Sequence, residues 1–194
     1  MPTLAFKIIY VAALVVEMAI RAPLNQKRKQ IKVTSNRVNR QEAVLLGLLF
    51  FGNFLLPLIY IFSPWLNFAN YTLPPWAGWL GAAFILGAVL VFWRAHVDLG
   101  RNWSPTLQIL EGHKLITQGI YGMIRHPMYA SQWLWVLAQP LLIQNWIAGL
   151  LGALFYLPMY FIRVPVEEQM MLEQFGDEYR DYMRRVGRVL PRLR

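Results

Sequence analysis

Apolar residues fall in long runs along this chain, and polar residues gather between them. Residues 4–20 are apolar apart from Lys7, Glu17 and a few small or aromatic positions. Residues 43–62 and 76–92 form two further runs, both uncharged throughout. Each approaches the roughly 20 residues needed to cross hydrocarbon as a helix. Residues 21–40 form a basic loop containing Lys27, Arg28, Lys29, Lys32 and Arg37. Residues 63–75 form an uncharged turn region with Pro64, Pro74 and Pro75. No strand-like alternation is sustained, so the pattern predicts an all-α fold. Gly78 with Ala82, and Gly81 with Ala88, give the third run small faces for close helix contact.

The character changes at Arg94. From there to Tyr129 the chain carries charges, turn formers and all three histidines, His96, His113 and His126. An uncharged stretch then runs from Arg125 to Arg163, with no Asp, Glu, Lys or Arg between them. Gln139-Pro140 and Gln144-Asn145 interrupt it. It is long for one span and short for two.

The excess of Lys and Arg on cytoplasmic loops decides between these options. Residues 21–40 face the cytoplasm, the turn at 63–75 faces away, and the third run returns the chain at Arg94. The C-terminal tail, with Arg180, Arg184, Arg185, Arg188, Arg192 and Arg194, is also cytoplasmic. The uncharged stretch must therefore cross an even number of times. It predicts a tight helical hairpin turning near Gln144-Asn145-Trp146, its second helix able to continue through Glu167. About five membrane helices result, the last two forming the hairpin, with a cytosolic C-terminal region.

Composition agrees with this picture. Of 194 residues, 57% are hydrophobic and 15% charged, against about 25% charged in a soluble domain. The absence of cysteine excludes disulfides, thiolate metal sites and a cysteine nucleophile. The net charge of +9 fits loops beside anionic lipid better than nucleic-acid binding. The first run has no convincing cleavage site, so it is read as mature structure rather than a signal peptide.

The hairpin brings two polar clusters to one membrane boundary. Arg163 and Glu167, four apart, share a helix face. An ion pair at a helix end accounts for them; so does a site, because charges at the end of an apolar hairpin are costly unless used. Glu168 adds a further charge, and Pro165 loosens the helix between them. Pro127 can begin the hairpin helix, placing Arg125 and His126 near a helix N-terminus suited to an anion. Glu17 is expected to pair with Arg21 one turn later. The histidines lack metal-site spacing, and no metal is expected. Gly119-Ile-Tyr-Gly122 is too sparse for a dinucleotide fingerprint. Phe175, Tyr179, Tyr182 and Val186 form an amphipathic face after Gly176-Asp177, which reads as a helix stop and restart. This last helix is expected to lie on the membrane surface and cover the site.

Four segments in order carry a resemblance: residues 112–121, reading GHKLITQGIY; Arg125-His126-Pro127-Met128-Tyr129; Arg163-x3-Glu167-Glu168; and Phe175-Gly176-x2-Tyr179-x2-Tyr182-x3-Val186-x-Arg188-x2-Pro191. Together they resemble the isoprenylcysteine carboxyl methyltransferase family, over roughly residues 102–191. The wider superfamily includes phospholipid methyltransferases and membrane sterol reductases. The first two spans carry no family signal.

The resemblance implies a methyl transfer from S-adenosylmethionine to the free carboxylate of a prenylated cysteine, releasing S-adenosylhomocysteine. It implies a cofactor site formed by Gln108, His113, Lys114, Leu115, Ile116, Tyr121, Arg125, His126, Pro127, Met128, Tyr129, Glu167 and Glu168. Arg163 would bind the substrate carboxylate, and Arg163 with Glu167 would be catalytic. A lipid-modified substrate would enter from the bilayer, with the active site facing the cytosol, in the cell membrane of a prokaryote or the endoplasmic reticulum of a eukaryote. One membrane-embedded domain, 1–194, is expected, with three spans in 1–93 and a catalytic core in 94–194. A phospholipid N-methyltransferase, an NADPH-dependent membrane reductase and a non-enzymatic membrane scaffold are the alternatives.

Overall fold

The computed structural model describes residues 2–192; Arg194 of the basic tail lies outside them. The protein is mostly helical. Its elements are α1 (Pro2–Arg28), β1 (Val33–Asn36), α2 (Arg40–Phe50), a π-helical turn (Phe51–Leu55), α3 (Leu56–Phe62), α4 (Pro75–Leu99), β2 (Gln108–Leu110), α5 (Pro127–Ile143), α6 (Trp146–Phe175) and α7 (Asp177–Arg185). Among the described residues, three stretches, against the five expected, are long and apolar enough to cross a membrane: Arg40–Phe62, Pro75–Asn102 and Trp146–Phe175. Large apolar side chains such as Phe62, Trp65, Phe68, Trp76, Leu86 and Phe161 point outward, as an integral membrane protein requires.

The uncharged stretch folds as a hairpin. α5 ends at Gln144 in the left-handed conformation (φ 49°, ψ 46°). Asn145 then caps α6, its side-chain oxygen accepting the N–H groups of Ile147 and Ala148 at 3.1 and 2.9 Å. The turn is therefore the expected one. α6 is 30 residues long and carries Glu167 and Glu168 on its C-terminal third.

Close packing sets the helix order. Gly78 on α4 lies against the Phe6 ring of α1, and Gly81 lies against Leu141 and Leu142 of α5. A side chain at either position would collide with these groups. One buried core joins Phe6 and Tyr10 of α1, Ile85 and Ala88 of α4, and Trp135 and Leu142 of α5.

Pro57 has no N–H, so carbonyls in the preceding turn lose their helical partners. Gln139 donates to the Gly52 carbonyl at 2.8 Å, and the Tyr10 hydroxyl donates to the Asn53 carbonyl at 2.6 Å. Gln139 Oε1 lies 2.9 Å from the same Tyr10 hydroxyl, so the two helices repair this break as one network.

The fold is not purely helical. β1 and β2 pair antiparallel, with Val33 opposite Leu110 and Asn36 opposite Gln108. The basic loop between the first two helices is thus tied to the segment after α4. The side chains of Arg28 and Gln108 bond across this junction, and Arg37 bonds to Glu173 on α6. Alternation over four and three residues is too short to register as strand in the sequence.

Candidate active site

Two cavities flank the C-terminal third of α6. The first has about 770 Å³ of open space. Gln108, His113, Lys114, Leu115, Ile116, Tyr121, Arg125, His126, Arg163 and Glu167 from the expected set all line it. Asn102, Met170, Met171, Tyr179 and Tyr182 complete much of its wall.

Local hydrogen bonds hold its loops. Asn102 Oδ1 accepts the Lys114 N–H at 2.9 Å, fixing the start of residues 114–116. Asp98 Oδ2 accepts the Ile120 N–H at 2.8 Å. Gly119 beside it has φ +60°, and a Cβ there would meet Asp98 Oδ2 at 2.1 Å, so only glycine fits. The Tyr182 hydroxyl donates to the Tyr121 carbonyl at 2.5 Å, closing α7 over the cavity. Tyr179, Tyr182 and Val186 are buried in one cluster, with Phe175 packed against it.

The tail is stitched to the start of α5. The Arg125 and His126 N–H groups donate to the Gly187 and Arg188 carbonyls at 2.8 and 2.9 Å. Glu168 lies beneath this seam as a buried carboxylate. It takes Arg125 at 3.0 Å, His126 at 3.2 Å and Arg188 at 2.5 Å. Its hydrogen bond holds the Arg188 guanidinium above the ordinary arginine value. Glu168 does not line the cavity. Arg125 also donates to the Met183 carbonyl at 3.1 Å. Its charge is thus largely committed to structure rather than offered to an anion.

Glu167 has a different environment. It lines both cavities. The Tyr129 hydroxyl donates to its Oε2 at 2.8 Å, and His126 Nδ1 lies 3.8 Å from its Oε1. His113 lies across the first cavity with its Nδ1 buried and unpartnered. Burial pushes the His113 imidazole below the ordinary histidine value, with Glu167 opposing the shift.

Arg163 also lines both cavities, but its ion pair is not with Glu167. Nη1 lies 3.4 Å from Glu42 Oε1, and Nη2 donates to the Pro105 carbonyl at 2.9 Å. Glu42 is buried and also accepts the Leu107 N–H at 2.8 Å. The i, i+4 spacing therefore misled: a tertiary acid from α2 outcompetes the neighbour on the same helix. Glu42 is missing from the sequence reading. Its signal was an acid at the membrane edge of an apolar run.

The second cavity has about 1360 Å³ of open space and a largely apolar wall. Leu14 and Met18 of α1, Leu46 and Leu49 of α2, and Met159 of α6 contribute to it. Met128 and Tyr129 face this cavity, not the first. Pro127 lines neither and serves as the first residue of α5. The expected single set thus divides between two cavities and a buried support.

The order of these parts matches known proteins. The model of the isoprenylcysteine carboxyl methyltransferase (ICMT) family matches residues 79–173. That match covers just under half of the chain. It is 28% identical over 118 residues to protein-S-isoprenylcysteine O-methyltransferase B of Arabidopsis thaliana, covering 60% of this chain and 60% of that relative. It is 34% identical over 99 residues to protein-S-isoprenylcysteine O-methyltransferase of Schizosaccharomyces pombe, covering 50% of this chain and 42% of the relative. The match thus spans well under two thirds of these relatives' own length. A solved eukaryotic intramembrane Ras methyltransferase of the family superposes with a TM-score of 0.60 at 22% identity, covering 98% of this chain and 68% of that one. That likeness establishes a shared fold. The family match takes in most of α4, the loops of the first cavity, α5 and most of α6, and leaves out α1 to α3 and α7.

Proposed function

We propose that this chain transfers a methyl group from S-adenosylmethionine to the C-terminal carboxylate of a prenylated cysteine. The observation that carries this reading is that Arg163 and Glu167 line both cavities at once. The more polar cavity, for the methyl donor, and a largely apolar one, for a lipid-bearing acceptor, then meet at two charged side chains.

The residues of the first cavity fit the donor. Leu115, Ile116, Met170 and Tyr179 offer apolar surface for an adenine ring. Glu167 supplies negative charge near a sulfonium or ammonium, and the unpartnered His113 Nδ1 and the Lys114 side chain supply polar contacts. When bound, this donor provides an electrophilic methyl group on sulfur.

The chain's own residues have a limited task. A carboxylate is ionised at pH 7 and needs no general base. Arg163 orients it, and Glu42 holds Arg163 against the wall while offsetting part of its charge. That offset matters, because an arginine gripping the ground state too tightly would slow transfer. Tyr129 fixes Glu167 at the boundary. The burial of Arg163 limits water around the reacting carboxylate.

The same reading places α1, the α2–α3 stretch, α4, α5 and α6 across the bilayer as a single domain, with the first cavity on the cytosolic side. The basic loop and tail then sit against anionic lipid. The test is transfer of labelled methyl from S-adenosylmethionine to N-acetyl-S-farnesylcysteine and to phosphatidylethanolamine, side by side. Incorporation is expected only into the cysteine derivative. Arg163→Ala should reduce kcat/KM by roughly 100-fold or more, in the range of a lost transition-state contact, while S-adenosylhomocysteine still binds. Incorporation only into the phospholipid would overturn the reading.

A further inference from the structure

The second cavity contains a charged group that the proposed reaction leaves unemployed. Glu17 lies on α1, far outside the family-matched region, and lines this cavity together with Arg21 one turn later. Its Oε1 is buried and has no hydrogen-bond partner. The expected pairing with Arg21 does not form: no ion pair joins them among the described residues. The Arg21 guanidinium instead lies over the Phe92 ring, 4.8 Å from its centroid.

The other charges on this wall are already engaged. Glu167 accepts from Tyr129, and Arg163 is held by Glu42 and the Pro105 carbonyl. Glu17 is the acid lining this cavity that keeps an unanswered acceptor; Asn53 Oδ1 and Arg163 Nε on the same wall also lack partners. Glu17, Arg21 and Arg163 all line this one cavity. Buried polar groups in native structures have partners as a rule, and an exception calls for a water, an ion or a ligand group to meet it. In a largely apolar cavity read as the acceptor's berth, that partner is a donor carried by the acceptor.

We propose that Glu17 is a specificity-determining residue that accepts a hydrogen bond from a nitrogen next to the acceptor's carboxylate. An amino-acid head has both groups on one carbon, so Arg163 takes the carboxylate while Glu17 takes the N–H. A plain terpenoid or fatty acid supplies only the first contact and leaves the acid unpaired. This rests on the reading of the second cavity as the acceptor site.

Three acceptors with the same farnesyl thioether and carboxylate make the test: N-acetyl-S-farnesylcysteine, S-farnesylcysteine and S-farnesyl-3-mercaptopropionate. They present an amide N–H, an ammonium and no nitrogen. At least one nitrogen-bearing acceptor should exceed the nitrogen-free one in kcat/KM by ~10-fold or more, and the better of the two tells a blocked nitrogen from a free one. Glu17→Leu should bring that ratio close to one by slowing only the nitrogen-bearing acceptors. Glu17→Gln keeps an acceptor oxygen and should retain an amide preference while losing an ammonium preference. Wild-type binding of S-adenosylhomocysteine by each variant verifies its fold. Equal use of all three acceptors by the wild-type protein, or an unchanged ratio in Glu17→Leu, overturns the inference alone. Failure to methylate any of them overturns the acceptor reading with it.

Discussion

The first cavity takes its polar wall from loops held by specific hydrogen bonds, whereas the second takes its wall from the packed faces of α1, α2, α5 and α6. The Asn102 and Asp98 side chains each fix one backbone N–H of the loops around the first cavity. Changing such a partner leaves a buried donor unsatisfied, so residue types are tightly specified there. The second cavity requires apolar volume, and several side chains of similar size can supply that. A polar cavity can thus leave a sequence motif, while an apolar one shaped by helix packing need not.

Glu167 and Glu168 bring the same contrast down to adjacent residues. Glu168 is enclosed by Arg125, His126 and Arg188, whereas the Glu167 side chain is 36% exposed and borders both cavities. The largest effect expected here is therefore on stability. Glu168→Ala leaves the buried Arg125 without its counter-charge and should cost about 3–5 kcal/mol, read by denaturation in detergent. Glu167→Ala should stay within about 1 kcal/mol of wild type and lose donor binding or activity instead. Equal destabilisation by both would dissolve the distinction.

Filling the second cavity should separate it from the first. Leu49→Trp should lower kcat/KM for a farnesylated acceptor roughly 10-fold, the scale of steric discrimination in an apolar pocket. The affinity for S-adenosylhomocysteine, measured by calorimetry, should not change. A parallel loss of both would mean that the cavities do not act as separate berths.

The smallest effect is a slope in pH. His113 has a lowered folded value through burial, so between that value and about 6.5 the unfolded chain binds the proton more readily. Stability is then fully retained above about 6.5 and falls as pH drops toward the folded value. His113→Gln should flatten the stability profile between pH 7 and pH 5. A slope unchanged by the substitution would assign it to another group.

Much of the first cavity was legible because its residues sit in short, ordered segments. The turn at Gln144-Asn145 was legible from two polar residues inside an uncharged stretch. The misreadings concern partners distant in sequence. Arg163 faced a plausible acid four residues away, yet its counter-ion comes from Glu42 on α2. Glu17 faced Arg21 at the same spacing, yet the pair does not form. The two short strands left too little alternation to detect.

Taken alone, the sequence determined that the chain is a helical membrane protein, where its hairpin turns, and which motif residues gather at its end. Those features follow from the cost of burying charge in hydrocarbon and from local backbone preferences, both written along the chain. Tertiary structure alone decided that there are two cavities, that Arg163 and Glu167 stand between them, and that Glu168 supports rather than lines the site. Helical spacing allows several neighbours for each charge, and packing selects among them by which acid is close, buried and able to satisfy several donors at once.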